Sequence, residues 1–317
     1  LLKIFPCSYK WQLLALSISA LFVNPLIPST TAKSSLIATL AASVSKQMKL
    51  EKKSKPMAGI FLSLFVNGPS LGHIFLSGSV QAIMVVGMMP EKMAAQFSWI
   101  GWLVASSVWA LVAFVLIYFA ILLIYGPKEP ISLTKDDIQQ MIYELGPITK
   151  IEKQVMVILI ITLIGWVTKS IHNIPECVFA VLAYCTLFCL GAIDKKEFRG
   201  NVQWDVLIYV GGIICVANLF TTLGIDVWLA DVMTPIVSLI TCNSIVYIIC
   251  LVLIVYVFRV FIVSSIATVT IFYVVFAQTA YLNLGISPFI TGKLIIGASK
   301  SWPTKFTNSN YIAAEAI

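Results

Sequence analysis

Two short polar clusters interrupt long apolar stretches of this chain, and their residue types suit the binding of ions. One cluster reads Ser29-Thr-Thr-Ala32 and the other Ser264-Ser-Ile-Ala267, each between two apolar arms. Where a helix is interrupted, free backbone N–H groups can bind an anion, and carbonyl and hydroxyl oxygens can bind a hard cation such as sodium. The shared pattern S-x-x-A therefore predicts a paired site for an anion and a cation.

These clusters also have a purely structural interpretation. Serine and threonine in membrane helices often bond to the preceding turn, and small residues let neighbouring helices approach closely. Either cluster alone is therefore better explained by packing. The pair favours a binding site, because polar clusters in corresponding halves of an apolar chain are typical of the binding site of a secondary transporter.

The composition places the chain in a membrane. Of its 317 residues 59% are hydrophobic and 11% are charged, whereas about a quarter of the residues of a soluble domain are charged. Apolar runs of about 20 residues, the length of a helix that crosses the hydrocarbon core, recur along the chain. Because these runs lack the alternation of a transmembrane barrel, we predict an all-α integral membrane protein with several spans.

The basic residues fit a membrane topology better than a nucleic-acid surface. The net charge is +7, but the lysines lie in loops and do not interleave with aromatic residues on a soluble domain, so no nucleic-acid partner is expected. The loop at residues 46–55 is the densest in lysine, and such loops stay on the cytoplasmic side of the membrane. This pattern suits a multi-pass protein of a plasma or inner membrane.

The chain lacks the residue groupings of a metal centre or an enzyme active site. Its histidines are His73 and His172, and its cysteines have no CxxC spacing. The apolar segments also carry no Ser/His/Asp, paired-carboxylate or HExxH arrangement. We therefore expect no catalytic residues, no metal centre and no cofactor, apart from a sodium ion at the paired site.

The segment at residues 1–126 is predicted to form the first portion of the molecule. Trp11–Pro28 and Ser34–Ser45 are apolar arms that are too short to span alone. Together with the cluster at residues 29–32 they predict a re-entrant hairpin, which enters and leaves the membrane on one side.

A broken helix and a spanning helix complete this first portion. The apolar run at residues 57–89 is interrupted by Asn67-Gly-Pro69 and by Ser77-Gly-Ser79, which is the pattern of a discontinuous helix. A spanning helix follows at residues 97–125, and its Trp99, Trp102 and Tyr125 are expected at membrane interfaces.

The rest of the chain predicts a connector and a second portion. The connector at residues 127–153 is polar, and its segment Thr134–Gly146 predicts a surface helix. The second portion, residues 154–317, carries the polar cluster at residues 264–268 as the tip of a second hairpin. Its predicted spans and hairpin arms are Val155–Val167, Pro175–Ile193, Trp204–Leu223, Val227–Thr241, Asn243–Val263 and Val269–Leu282.

Both clusters resemble signatures of the divalent anion/sodium symporter family. Leu26-Ile-Pro-Ser-Thr-Thr-Ala-Lys33 is similar to the Pro-Ser-Asn-Thr-Ala-Arg signature at the tip of a re-entrant hairpin. Val263-Ser-Ser-Ile-Ala-Thr-Val-Thr-Ile-Phe-Tyr273 is similar to the second signature, approximately Ala-Ser-x-Thr-Ala-His-x-Thr-Ala-Met-Tyr, of the 2-oxoglutarate/malate and citrate/succinate translocators. Further stretches that fit this subgroup are Phe75–Ser79, Tyr125–Glu129, Leu145–Glu152 and Trp204–Gly212. The resemblance covers nearly the whole chain.

The resemblance implies a fold and an activity. The fold would be an inverted-repeat secondary transporter with two re-entrant helical hairpins and broken helices. It would carry a small dicarboxylate, such as malate, succinate or 2-oxoglutarate, across the bilayer by exchange or by sodium-coupled symport. Alternating access would occur at the two hairpin tips. A homodimer is also implied, because the scaffold helices of this family form a dimer interface.

The resemblance also assigns binding residues at both tips. Thr30 stands where the first signature has asparagine, and Ile266 where the second has threonine, so the polar groups differ from those of the family at each tip. The residues assigned to the substrate are Ser29, Thr30, Thr31, Ser264, Ser265 and Thr268, and those assigned to a sodium ion are Ser29, Thr30, Ser77, Gly78 and Ser264.

Lys33 has two interpretations that the sequence leaves open. Its ammonium group could supply positive charge beside the anion site, or it could extend to the membrane interface while its stem stays in the apolar layer. The same two interpretations apply to Lys169, Arg259 and Lys293.

Two other functions also stay open. One is a transporter of an inorganic anion such as sulfate. The other is an inactive membrane remnant, which is favoured by Ile266 and Ala82 in place of polar residues of the family. The first scaffold helices and the last helix of the family are not recognised in the sequence, so the chain is expected to be either a fragment of a longer protein or a truncated product, and truncation would favour the remnant.

Overall fold

The computed structural model is built from helices, which confirms the predicted all-α class. The structure describes residues 4–127, 146–201, 204–225, 243–262 and 264–300, and the single positions 139, 143, 228, 231 and 232. The predicted segments Thr134–Gly146 and Val227–Thr241 lie largely outside these residues. The helices are α1 (Tyr9–Val23), α2 (Thr30–Gln47), α3 (Lys55–Phe65), α4 (Val80–Gly87), α5 (Glu91–Ala94), α6 (Trp99–Tyr125), α7 (Lys150–Val167), α8 (Lys169–His172), α9 (Glu176–Cys189), α10 (Lys195–Asn201), α11 (Trp204–Thr222), α12 (Ser244–Phe258), α13 (Ser265–Leu284) and α14 (Pro288–Lys300).

Three helical stretches of the described residues are long and apolar enough to cross a bilayer. They are Lys55–Ile74, Trp99–Tyr125 and Ser265–Leu284. The longest is α6, whose 27 residues give a length of about 40 Å at the usual rise per residue. Most of α6 presents apolar side chains on the outside of the molecule, as expected of a helix that faces lipid.

The two tryptophans at the start of α6 are buried in the protein and do not face outward. Trp99 is 7% exposed and Trp102 is 0% exposed. Trp99 Nε1 donates a hydrogen bond to Ser77 Oγ at 3.0 Å, and Trp102 Nε1 donates one to the His73 carbonyl at 3.0 Å. A buried polar segment of the chain thus supplies the partners that their indole N–H groups need, and the depth of these two residues in the membrane stays a prediction.

The first apolar core forms where α1 and α2 pack on α3, and α3 packs on α6. Small side chains let these helices approach, and Ser17 Oγ and Ser63 Oγ share a hydrogen bond of 2.6 Å between α1 and α3. Both arms of the predicted first hairpin therefore rest on the same helix. The buried residues of this core are Tyr9, Leu13, Leu16, Ala20, Ile37, Ala41, Val44, Met48, Ile60, Leu64 and Ile121.

The helix that begins as α3 is interrupted at residues 66–79. Pro69 has no backbone N–H to donate, and residues 66–70 form a π-helical turn around it. The side-chain amide of Asn67 donates to the Ser63 carbonyl at 2.8 Å, and the side-chain amide of Asn24 donates to the Asn67 carbonyl at 2.8 Å. These amides supply hydrogen bonds that lipid cannot supply to an interrupted backbone.

Gly72 and Gly78 let two parts of the interrupted segment touch. A Cβ atom added to Gly78 would overlap the Gly72 carbonyl oxygen and would lie 3.0 Å from the Asn24 carbonyl oxygen. A Cβ atom added to Gly72 would overlap the ammonium group of Lys33. Only glycine fits at these two positions, because the opposing atoms at Gly78 belong to backbone that cannot rotate away.

The second apolar core lies on the other side of the interruption. There α4 packs against α13 and α14, and α12 packs against α14. The two cores thus flank the interrupted segment, and α3 and α4 connect it to each of them. The buried residues of the second core are Ala82, Met84, Val85, Met88, Met89, Trp102, Tyr247, Leu251, Val255, Val269, Phe272, Tyr273, Phe276, Ala277, Ala280, Ile286, Phe289, Ile295, Ile296 and Ala298.

A further helix pair, α7 and α9, packs away from the interruption. Trp166 Nε1 donates to the Glu176 carbonyl at 2.9 Å, and Lys169 Nζ lies 2.6 Å from Glu176 Oε2. The charge of Lys169 is therefore balanced within this helix pair. That this helix pair belongs to a second repeat, and that the two repeats are inverted relative to each other, stay predictions.

We expect Gly78→Ala to destabilise the protein by about 1–3 kcal/mol, the usual effect of forcing extra volume into a packed site. The matched control is Gly297→Ala in α14, where no heavy atom lies within 4 Å of the added Cβ. This control should be neutral, or more stable by about 0.5–1 kcal/mol, because alanine is the better helix former. Thermal unfolding of the purified protein in detergent measures both variants, and equal unfolding temperatures would contradict the close contact of Gly72 with Gly78.

Candidate functional site

The two signature serines begin helices in the same local geometry. Ser29 has φ −70° and ψ 113° at the start of α2, and its Oγ accepts a hydrogen bond from the Ala32 N–H at 3.3 Å. Ser264 has φ −77° and ψ 115° at the start of α13, and its Oγ accepts from the Ala267 N–H at 3.2 Å. Both serines are therefore N-caps, and each signature places a helix N-terminus, which favours a negative charge, at the predicted tip.

The threonines of the first signature lie in the first turn of α2. Thr30 is half-buried and Thr31 is exposed, whereas Ser34, one turn later, is buried and donates its hydroxyl to the Thr30 carbonyl at 2.9 Å. The accessible polar groups of this tip are thus at residues 29–31, which matches the residues assigned to the substrate. That they bind a substrate stays a prediction.

Lys33 points into the molecule instead of to a membrane interface. Its side chain is 0% exposed, and its Nζ donates to the Gly78 carbonyl at 2.8 Å and to Asn24 Oδ1 at 3.1 Å. Of the two interpretations of Lys33, the structure therefore excludes extension to the interface. The positive charge lies beside the first tip and against the interrupted segment.

Ser77 and Gly78, assigned to a sodium ion, are close to the first tip but already have partners. Ser77 Oγ donates to the Pro25 carbonyl at 2.9 Å and accepts from Trp99. The Gly78 carbonyl accepts from the Lys33 ammonium group. The Gly78 carbonyl oxygen, which the resemblance assigned to a sodium ion, is thus already bonded to an ammonium group.

The second signature is held by a buried arginine. Arg259 is 2% exposed, and its Nη2 donates to Ser265 Oγ at 2.8 Å while its Nη1 donates to the Ile262 carbonyl. Its Nε donates to the Ser299 carbonyl of α14 at 2.9 Å. The guanidinium group therefore ties the second tip to the end of α14 through its fixed arrangement of donors.

Thr268 faces the backbone of its own helix. Its side chain is buried, and its Oγ1 donates to the Ser264 carbonyl at 3.0 Å. Ser264 itself is exposed, and Ser265 and Ile266 are half-buried. The accessible part of this tip is therefore Ser264 with the neighbouring N–H groups, and the roles of Ser265 and Thr268 in binding stay predictions.

Two lysines of α14 reach the interrupted segment from the other half of the chain. Lys293 Nζ donates to the His73 carbonyl at 2.8 Å and lies 4.8 Å from the centre of the Trp102 ring, which is the geometry of a cation–π contact. Lys300 Nζ donates to Ser79 Oγ at 3.0 Å. Both partners are more than two hundred residues away in sequence, and these contacts join the two portions of the chain.

The interrupted segment connects the two tips. Lys33 joins the first tip to Gly78, and Arg259 joins the second tip to the end of α14, from which Lys300 reaches Ser79. The structure thus brings the first signature together with Ser77 and Gly78, and it links the second signature to the same segment through α14.

Sequence reasoning missed Lys300 and Asn24. Asn24 lies within the predicted apolar arm Trp11–Pro28, and its amide bonds both Asn67 and Lys33. Lys300 follows an apolar stretch and bonds to Ser79 of the interrupted segment. The sequence did carry a signal for both residues, namely a polar side chain beside an apolar helix. Such side chains are often functional in membrane proteins.

The described residues contain no group of three or more histidine, cysteine, aspartate or glutamate side chains that could hold a metal ion. The candidate site is instead built from helix N-termini, hydroxyl groups and ammonium groups. These groups are suited to bind an anion that carries carboxylate, phosphate or sulfate oxygens.

Comparison with known proteins gives relatives over most of the chain. The chain is 24% identical over 217 residues to the inner membrane protein YbhI of Escherichia coli K12, which covers 67% of this chain and 46% of that protein. It is 26% identical over 229 residues to dicarboxylate transporter 2, chloroplastic, of Spinacia oleracea, with 68% of this chain and 40% of that protein covered. For dicarboxylate transporter 2.1, chloroplastic, of Arabidopsis thaliana the identity is 22% over 229 residues, with the same coverages of 68% and 40%. The chain spans less than half the length of each of these three relatives.

The match to a family extends over almost the whole chain. Residues 9–310 match the family described as the sodium:sulfate symporter transmembrane region. This match includes both S-x-x-A signatures and the interrupted segment between α3 and α4, so the resemblance found at the signatures is confirmed. The chain is a multi-pass integral membrane protein and belongs to the sodium:sulfate symporter transmembrane family.

Proposed function

We propose that this protein is a secondary active transporter of small dicarboxylate anions. The proposal is supported by the family of the chain and by relatives that are named dicarboxylate transporters in two plants. Transport, and not catalysis, also fits the polar groups at the tips, which can bind an anion but include no pair of groups for acid–base chemistry.

The observation that carries the proposal is the matched start of α2 and α13. Each helix begins at a serine N-cap within an otherwise apolar stretch, with backbone dihedral angles that agree within 10°. A helix N-terminus offers free N–H groups and a partial positive charge. A carboxylate accepts hydrogen bonds from these N–H groups and is attracted by the charge. Two such termini suit an anion that carries two carboxylates, one for each tip.

In the proposed mechanism the substrate is held by backbone N–H groups and hydroxyls while access alternates between the two sides of the membrane. The accessible hydroxyls are those of Thr30 and Thr31 at the first tip and Ser264 at the second. The positive charge of Lys33 beside the first tip lowers the cost of bringing a dianion into an apolar layer. No carboxylate has to change its protonation state in this scheme.

The position of Lys33 favours exchange over sodium-coupled symport. A sodium ion needs several oxygen ligands, and the Gly78 carbonyl and Asn24 Oδ1 are oxygens of the suitable kind. Both accept hydrogen bonds from the Lys33 ammonium group, which is a fixed cation at the same place. We therefore propose that one dicarboxylate is exchanged for another without a bound sodium ion at this position.

Proteoliposomes test the proposal directly. We expect uptake of labelled malate when the vesicles contain unlabelled malate, and little further uptake when an inward sodium gradient is added. Sulfate is the competing substrate, because it gives its name to the family. Inhibition by external sulfate and not by external succinate would favour the inorganic anion, and absence of any uptake by the folded protein would contradict the transporter proposal and favour an inactive remnant.

We expect Thr30→Ala and Thr31→Ala each to reduce malate uptake by about tenfold or more, because a hydrogen bond to a charged group contributes roughly 1.5–3 kcal/mol. The matched control is Thr39→Ala, an exposed threonine of the same helix whose hydroxyl bonds only to its own backbone turn. Initial rates at several malate concentrations measure the effect. Equal rates for the three variants would assign Thr30 and Thr31 to packing.

We expect Lys33→Gln to reduce sodium-free exchange by about tenfold or more, since an anion in an apolar site then loses a charge-assisted partner. Lys46→Gln serves as the control, because Lys46 is exposed at the other end of α2. Uptake is measured with sodium and with potassium as the external cation, and elution from a sizing column verifies folding. Full sodium-free exchange by a folded Lys33→Gln variant would refute the role of this lysine as a fixed cation.

A further inference from the structure

The connection between α2 and α3 exposes a dense group of positive charges. Its segment at residues 49–55, here called the lysine loop, has four lysines against the single acidic residue Glu51, which leaves a net charge of +3. The ion pair found among the described residues is that of Lys169 with Glu176, so no described carboxylate pairs with these lysines. The exposed lysines of the loop are Lys49, Lys52, Lys53 and Lys55.

The backbone of the lysine loop is fixed against the first apolar core. Met48, directly before the loop, is a buried residue of this core, and Leu50 packs against it. The Leu50 N–H donates to the Ser45 carbonyl at 3.0 Å, and the Ser54 N–H donates to the Glu51 carbonyl at 3.1 Å. Because the backbone is held at these points, the loop presents its lysines outward in a fixed arrangement.

Three of the four lysines stand where the local structure disfavours a lysine. Lys49 has φ 52° and Lys53 has φ 64°, which is the left-handed region that glycine and asparagine adopt at lower energetic cost. Lys55 begins α3, where a cation meets the partial positive charge of the helix N-terminus. Lys46 differs, because it lies in the last turn of α2, where a cation is favoured. Lysines at several unfavourable positions of one loop indicate a requirement for positive charge that folding alone does not explain.

The position of the lysine loop identifies the partner of opposite charge. The helical stretch Lys55–Ile74 is long and apolar enough to cross a bilayer, and the loop lies directly before it. Lysines at the end of a span reach the layer of lipid headgroups. Acidic phospholipids supply negative charge in that layer, and a cluster of about four or more basic residues beside a span attracts them. The membrane surface is therefore the complementary partner that this loop meets.

We propose that the lysine loop is a docking surface for acidic phospholipids, whose headgroup phosphates bind its ammonium groups. The loop joins α2, which begins at the first tip, to α3, which leads to the interrupted segment, and these two helices pack on each other. Contact of the loop with the headgroups therefore holds this helix pair close to one face of the membrane. The surface lies at the end of α2 opposite to the first tip, so its ligand is a lipid and not the transported anion.

Lipid titration of the purified full chain in a neutral detergent tests the inference. Phosphatidylglycerol, which is acidic, and phosphatidylcholine, which has no net charge, are added to separate samples, and the unfolding temperature is measured. We expect phosphatidylglycerol to reach half of its effect at a mole fraction at least about tenfold lower, since each lysine near an anionic surface changes the affinity roughly fivefold. In about 1 M salt, where the screening length falls to about 3 Å, most of this difference should vanish. Equal mole fractions for the two lipids at low salt would overturn the inference.

A double variant separates the role of the charge from a role in folding. Lys49→Asn combined with Lys53→Asn removes two charges and places at both positions a residue that tolerates a positive φ. We expect this variant to lose most of the preference for phosphatidylglycerol and, without lipid, to unfold at the same temperature as the parent protein or at a higher one. Retention of the full preference by the folded variant would overturn the docking surface, and so would a lower unfolding temperature without lipid together with an unchanged preference.

A matched control removes the same charge from another exposed part of the chain. Lys195 and Lys196 are exposed at the start of α10 and stand between Asp194 and Glu197 in the sequence, so the local charge is balanced. The combination of Lys195→Gln and Lys196→Gln should keep the preference for phosphatidylglycerol. An equal loss in both double variants would show attraction to the net charge of the protein and would overturn the assignment to the lysine loop.

Two further comparisons fix the nature of the partner and separate this inference from the proposed function. Inorganic phosphate at the same charge concentration should have little effect, and stabilisation by phosphate equal to that by phosphatidylglycerol would overturn the assignment to a lipid surface. A preference for phosphatidylglycerol without uptake of any anion in proteoliposomes would support the docking surface and count against the transporter. Uptake of malate by a protein without this preference would leave the transporter standing and refute the docking surface.

Discussion

The interrupted backbone at residues 66–79 sets the condition that the rest of the structure has to meet. A break in a helix leaves N–H and C=O groups that lipid cannot satisfy, so the protein itself has to supply their partners. It does so with the amides of Asn24 and Asn67, the ammonium group of Lys33 and the indole N–H of Trp102. Each of these side chains is thereby held in a buried position that its polarity would otherwise disfavour.

The same requirement explains why the two apolar cores meet at this segment. The first core surrounds α3 and the second surrounds α4, and the break between them is lined by polar groups from both sides. Helices from the start and from the end of the chain therefore contact one short stretch of backbone. The proposed alternating access needs a site that contacts both portions of the chain, and this junction meets that requirement.

The chemistry of the site differs from what the signatures alone indicate. The hydroxyls of Ser29 and Ser264 cap their helices, and that of Ser265 accepts from Arg259. Many hydroxyl groups of the two signatures thus form hydrogen bonds within the tips. The proposed binding of an anion therefore depends more on the helix N-termini that begin at these caps and on the lysines that surround the break.

The sequence by itself determined the membrane class, the two signature clusters and the break at Asn67-Gly-Pro69, because hydropathy and the effect of proline on a helix are local properties. The tertiary structure decided where the charged and aromatic side chains point. Lys33 meets Gly78 at a separation of 45 residues, and Lys300 meets Ser79 at a separation of 221 residues. Trp102 turned inward for the same reason, since the burial of a side chain depends on partners that its own neighbours in sequence do not reveal.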